Sequence, residues 1–331
     1  MACVAVAAVA RVAGSALQLG LETAIALALG LAIGAMASIR ESLLPGASLA
    51  ARYALRVGIA LLGARLTVGQ LVADGGGSVL AIAATVSLAL ALGTWLARRL
   101  GLIPPLSALI TVGMAICGNS AILALAPIIR APHRETAYAV STITTFGLIG
   151  VVLLPVIGRL LALPDATFGM WSGLAVNDTA QVVATGYAFS PAAGDVATVV
   201  KLTRNLAILP VLLGATWWAT RTLPDETGAP RRSTGALVAR AVPWFVIGFV
   251  LFAALRSAGA LDGRLPTGGT LADACSLAAT LLILVALAGV GLATDVRSLV
   301  RVGPRPFLLA GALWVVVGTL GLLLARVYHG G

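Results

Sequence analysis

Lysine is nearly missing from this chain: 331 residues hold one, Lys201, against 21 arginines, and Asp and Glu together number 12. Charged residues make up 10% of the total, where a soluble globular protein carries about 25%. With 60% hydrophobic residues, a soluble fold is excluded. Histidine occurs twice, as His133 and His329, both outside the apolar runs. Cysteine occurs three times, as Cys3, Cys117 and Cys275, widely separated and in apolar surroundings. These scarcities leave no metal-ligand spacing, no disulfide framework and no serine–histidine pair. With no paired acidic motif for prenyl transfer either, the chain is expected to be no enzyme and to hold no cofactor and no metal. The net charge of +10 does not point to nucleic acid, because most arginines fall in short loops and none interleave with aromatics.

What the chain does have is apolar runs of about 20 residues from end to end, each long enough to cross about 30 Å of hydrocarbon. The expectation is an all-α polytopic membrane protein forming a single transmembrane domain over 1–331. Ten spans are read at 17–37, 53–73, 77–97, 104–130, 136–160, 167–189, 195–220, 237–257, 272–293 and 306–328. Residues 2–16 offer an eleventh, read as a shortened first helix rather than a signal peptide. The polar segment 221–236 joins two halves of the chain. Counted through alternate loops, one side collects Arg40, Arg52, Arg98, Arg99, Arg159, Arg221, Arg231, Arg232, Arg297, Arg301 and Arg305. The other collects Arg11, Arg130, Arg134, Arg256, Arg264 and Arg326. The first set is therefore assigned to the cytoplasm and the C-terminus to the outside.

A shift of 228 residues lays 63–98 on 291–326 with 12 of 36 positions identical, among them Gly63, Gly75, Gly93 and Arg98. Chance gives roughly one in ten in a chain so rich in a few residue types. Seven spans separate the two copies, so they are expected to be inverted, the arrangement in which transporters bind substrate at the repeat interface. The repeat-related segments extend over 53–98 and 281–328 and flank an interrupted-helix core, 104–220. A weaker echo, at an offset of 60, lays GMAICGNSAILALA from Gly113 on GLAVNDTAQVVATG from Gly173. With one span between them this second pair reads as parallel, in conflict with the first.

The two echoing segments break apolar spans with small polar residues: Cys117 to Ser120, and Asn177 to Thr179 with Gln181. Backbone can unwind at membrane depth only where it is buried in protein or lines a cavity. Half-helix ends then offer N–H groups to an anion or carbonyls to a cation. The candidate substrate-binding residues are Asn119, Ser120, Asn177, Asp178, Thr179, Gln181, Lys201 and Arg204. Lys201 and Arg204 stack one helical turn apart, and ionisable groups at membrane depth mark pathways or pairs. The arginine fork suits sulfonate, sulfate or carboxylate oxygens. Asp178, the one acid near the middle of a span, reads either as the ion-pair partner of these cations or as a proton or cation carrier. Arg65 reads equally as a site residue or as a snorkelling one.

At these residues the chain resembles the YeiH-type family of bacterial inner-membrane proteins, named for sulfate export. The stretches that carry the resemblance are RVGIALLGARLTVGQL (56–71), GMAICGNSAILALAPIIRA (113–131), the long run 168–204, and GVGLATDVRSLVRVGPRP (289–306). The resemblance implies a ten- or eleven-span transporter related to the sodium/proton antiporter and bile acid symporter group, with inverted bundles and crossing, broken helices. The family has a His-Glu pair where this chain has Asn177 and Asp178, and an arginine where it has Ala293. A proton role for that histidine therefore cannot carry over, and Arg65 loses its repeat mate. The expected function is secondary transport of a small anion, such as sulfate or a sulfonate, coupled to H⁺ or Na⁺. A cation/proton antiporter is the alternative. The expected partners are the anion, the coupling ion and the lipid bilayer, with homodimerisation left open.

Overall fold

The computed structural model describes residues 1–17, 22–222, 243–266, 268–293 and 304–329. Among them no strand forms beyond one bridge between Arg264 and Thr270. The helices are α1 (Ala2–Leu17), α2 (Glu22–Gly34), α3 (Ala37–Leu49), α4 (Leu55–Leu62), α5 (Val68–Arg99), α6 (Pro104–Ala115), α7 (Asn119–Leu125) and α8 (His133–Leu160). There follow α9 (Asp165–Ala175), α10 (Thr179–Phe189), α11 (Pro191–Asn205), α12 (Ile208–Thr222), α13 (Trp244–Ser257), α14 (Leu271–Ala293) and α15 (Pro304–His329). A π-helical turn, Ala50–Ala54, joins α3 to α4, and a 3₁₀ turn, Gly63–Arg65, ends the stretch. The expected join, 221–236, lies outside the described residues from 223 onward, as do parts of the expected spans 17–37 and 237–257.

Among the described residues, six helical stretches are long and apolar enough to cross a membrane: Ser42–Arg65, Val68–Arg99, His133–Leu160, Pro191–Ala219, Leu271–Ala293 and Pro304–His329. They expose large apolar side chains, Leu80 at 82% and Val72 at 66%. The chain is a multi-pass membrane protein. Since lipid supplies no hydrophobic drive between helices, they must hold together by close packing and internal hydrogen bonds.

Directions follow from contacts between helices. Gly101, after α5, lies beside Arg305 at the start of α15, and Tyr328 at its end donates to the Ala73 carbonyl at 3.4 Å. Helices α5 and α15 are thus antiparallel. The end where Gly101 and Arg305 meet is called the first face, and the end with Ala73 and Tyr328 the second. Phe146 of α8 packs on Phe307, and one turn later a side chain at Gly150 would touch Trp314, so α8 runs parallel to α15 and begins at the first face.

Two expected spans turn out to be hairpins. Phe168 in α9 and Phe189 in α10 stack with ring centroids 3.9 Å apart. Twenty-one residues of continuous helix would separate them by about 31 Å. The segment 167–189 therefore enters from the second face, turns at 176–178 and leaves by the same face. In 104–130, a side chain at Gly113 would touch Ile122, four residues beyond the turn, so α7 folds back along α6 toward the first face. Instead of crossing, the broken helices meet tip to tip from opposite faces, with α8 between them. This resolves the conflict between the two repeats, because hairpins entering from opposite faces are themselves inverted. It also moves Arg130 and Arg134 to the first face and Arg159 to the second. The two uncounted reversals cancel, so later loops keep their sides.

Glycine makes the tips. Gly118 adopts φ +61° and ψ −122°, which a side chain resists. A Cβ on Gly173 would lie 2.9 Å from Val200 Cβ, so its absence lets α11 lie directly against α9. Proline at the first turn and the Ser190 hydroxyl, accepting from Ala193 N at 3.0 Å, start α11 at the second face.

Candidate functional site

Helices α6 and α9 end with carbonyl groups that no following turn can satisfy. Two side chains of α11 satisfy them. Lys201 Nζ donates to the carbonyls of Ile116 at 2.9 Å and Val176 at 3.1 Å. Arg204 donates to Met114 at 3.0 Å, Ala115 at 2.9 Å and Leu174 at 2.6 Å. Both side chains are fully buried. Positive charge at helix C-termini is favourable, and the two hairpins press two such ends together. Asn177, also buried, completes the junction: its Nδ2 lies 3.2 Å from Met114 Sδ, and its Oδ1 accepts from Arg204 at 3.4 Å. Lys201, Arg204 and Asn177 therefore lie behind the tips. Among the described residues, neither cation forms the ion pair with Asp178 that the sequence suggested.

The other five candidates share a cavity of about 480 Å³ on the opposite side of the tips. Asn119, Ser120, Asp178, Thr179 and Gln181 line it together with Ser141 and Thr144 of α8. Asp178 caps α10, its Oδ1 accepting from Ala180 N at 2.9 Å. Thr144 ties both hairpins to α8: its hydroxyl accepts from Asn119 Nδ2 at 3.3 Å and its carbonyl from Gln181 Nε2 at 3.2 Å. Ser48, Arg52 and Arg56 form the facing wall, with Ala293 beside them. Sequence reasoning passed over these three, treating Arg52 as a loop marker. Their spacing of four places them on one helical face, which was the available signal.

Arg52 is exposed and lies 13 residues before Arg65 in the stretch Ser42–Arg65, on the side toward the first face, which puts the cavity's mouth on that side. Toward the second face, an apolar layer of Ile59, Leu62, Val183, Ala184, Ile283 and Leu287 closes it. Beyond that layer Arg65 donates to Thr280 Oγ1 at 2.6 Å, to the Ser276 carbonyl at 3.2 Å and to the Tyr187 hydroxyl at 3.5 Å. Its guanidinium lies 3.7 Å from Asp195, which also accepts from Tyr187. This polar cluster joins α14 and the end of the α4 stretch to α10 and α11.

A family described as "Conserved hypothetical protein 698" matches residues 1–310. The chain is 36% identical over 331 aligned positions to UPF0324 membrane protein RSc1111 of Ralstonia nicotianae, covering 95% of this chain and 87% of that protein. It is 35% identical to UPF0324 membrane protein PA5383 of Pseudomonas aeruginosa, covering 82% and 76%. With a UPF0324 membrane protein of Clostridium tetani it shares 33%, covering 85% and 82%. No solved structure matches the chain. By this family match and these relatives, the chain belongs to the UPF0324 family of membrane proteins, the same family as the YeiH-type proteins it resembles.

Proposed function

We propose that this protein is a secondary active transporter, not an enzyme, that moves a small anion across the bacterial inner membrane by alternating access, coupled to H⁺ or Na⁺. The observation that carries the reading is a cavity at two hairpin tips that gathers Arg52, Arg56, Asp178 and several hydroxyl and amide side chains, open to one face and closed from the other by an apolar layer and the Arg65 cluster. Access from one side at a time is the property an alternating mechanism requires. Arg52, Arg98, Arg99, Arg130, Arg134, Arg221 and Arg305 gather at the first face, against Arg159, Arg256, Arg264 and Arg326 at the second. The positive-inside rule then makes the first face cytoplasmic and the cavity inward-open.

Flux of radiolabelled sulfate and small sulfonates into proteoliposomes, across imposed H⁺ and Na⁺ gradients, tests the proposal. Anion movement driven by either gradient supports it, and a gradient-driven cation flux indifferent to added anions overturns it. The second outcome belongs to the cation/proton antiporter reading. Asp178 favours that alternative, as does Asn119 Oδ1, an acceptor with no partner among the described residues.

A further inference from the structure

The two cations first suspected of holding an anion are committed to backbone carbonyls, so the charge complementarity must come from elsewhere. Arg52 and Arg56 line the cavity four residues apart. Among the described residues neither guanidinium has a hydrogen bond or an ion pair. Like charges at this spacing repel. Arg52 also sits in the π-helical turn Ala50–Ala54, a geometry common at functional sites. The facing wall offers the hydroxyls of Ser120, Ser141, Thr144 and Thr179. Its single acid, Asp178, has one oxygen engaged in capping α10.

The internal repeat makes an independent argument. Carried upstream, the 228-residue shift lays Ser48-Leu49-Ala50-Ala51 on Ser276-Leu277-Ala278-Ala279, four identities in a row. Immediately after this match the copies diverge: Arg52 faces Thr280, and Arg56 faces Leu284. Further on, Arg65 corresponds to Ala293. In the second-face cluster Thr280 and Arg65 bond each other at 2.6 Å. Their counterparts, Arg52 and Ala293, both line the open cavity. One half of the molecule thus uses its arginine to tie helices together. The other half places arginines on the cavity wall at positions where the repeat supplies a threonine and a leucine.

We propose that Arg52 and Arg56 form the anion-binding pair, holding a small oxyanion, with a sulfate, sulfonate or carboxylate head, between their guanidinium forks and the hydroxyls of the hairpin-tip wall. This rests on the transport reading above. A planar fork presents paired N–H groups to such oxygens, which a lysine ammonium cannot reproduce.

The test is uptake of radiolabelled sulfate, and of a sulfonate and a dicarboxylate in parallel, into proteoliposomes of the full chain. Wild type is compared with Arg52→Gln, Arg56→Gln, the double variant, and Arg52→Lys with Arg56→Lys. Thermal melting confirms the fold, and labelling from each side confirms orientation. Each single Gln variant is expected to raise KM at least tenfold, the double to abolish saturable uptake, and the Lys variant to recover only part. Wild-type flux with an unchanged KM in both single variants would overturn the pair while leaving transport standing. Wild type moving none of the three anions would overturn the transport reading itself, and the pair with it.

Discussion

The carbonyl oxygens of Ile116 and Val176, sixty residues apart in sequence, accept hydrogen bonds from the same ammonium, that of Lys201. Under the weaker internal echo these two residues are counterparts, as are Met114 and Leu174, which Arg204 joins in the same way. Two re-entrant hairpins thus present equivalent C-terminal ends to one helix from opposite faces. The cations sit where two orphaned carbonyl sets converge.

Removing either cation should therefore unfold the core before it alters transport. Each buried carbonyl left without its donor costs about 1–3 kcal/mol. Lys201→Met and Arg204→Met are expected to lower the melting temperature sharply in detergent and to reduce the monodisperse fraction in size-exclusion chromatography. Arg204→Lys should recover part of the loss, since one ammonium can reach fewer of the carbonyls than the planar fork. Full thermal stability with abolished anion binding would return these residues to the site.

The hairpin tip makes a second demand. Gly118 holds φ +61° and ψ −122°, a region essentially closed to other residues. Gly118→Ala should cost about 1–3 kcal/mol in strain. The tip also sets where Asn119 and Ser120 stand on the cavity wall, so binding should weaken along with stability. Comparison with Gly76→Ala, where a side chain would meet nothing within 4 Å, provides the control for a glycine change as such.

Much of this was legible in the sequence because it is written in composition and period. Helicity, membrane insertion and both helix breaks follow from apolar length and from small polar residues inside it. The reversal at each break was not legible. A run of 23 apolar residues has the same length whether it crosses or turns back, and only the stacking of Phe168 on Phe189 distinguishes the two. The depth of Lys201 and Arg204 was readable, but their partners were not, since backbone carbonyls leave no sequence signature. Arg52 and Arg56 were hidden for the opposite reason: arginines near a helix end look like ordinary orientation signals.

The Arg65 cluster should behave as a latch. Arg65→Gln removes the guanidinium that reaches Thr280, Tyr187 and Asp195 together. The expected measurement uses Thr179→Cys in a background without the three native cysteines. A membrane-impermeant thiol reagent should modify the wild-type latch background only from the first face, and the Arg65→Gln background from both. Asp195→Asn should give a weaker version, because it leaves the Arg65–Thr280 bond in place. Modification confined to the first face in both would mean that the apolar layer alone closes the path.

Asp178 allows structural and functional roles to be separated with one atom. Its Oδ1 caps α10 by accepting from Ala180 N, and an asparagine oxygen can do the same. Asp178→Asn should keep the melting temperature close to wild type, whereas Asp178→Ala should lose about 1 kcal/mol through the missing cap. What asparagine cannot do is carry a negative charge or exchange a proton in the cavity facing Arg52 and Arg56. If Asp178 couples the driving ion, the asparagine variant should still exchange anion for anion across the membrane but should no longer concentrate it against a gradient of H⁺ or Na⁺. The decisive pair of measurements is therefore counterflow and gradient-driven uptake in the same proteoliposomes. Retained counterflow with lost accumulation assigns coupling to Asp178. Equal loss of both would make it part of the anion's own seat, and equal retention would restrict it to capping the helix.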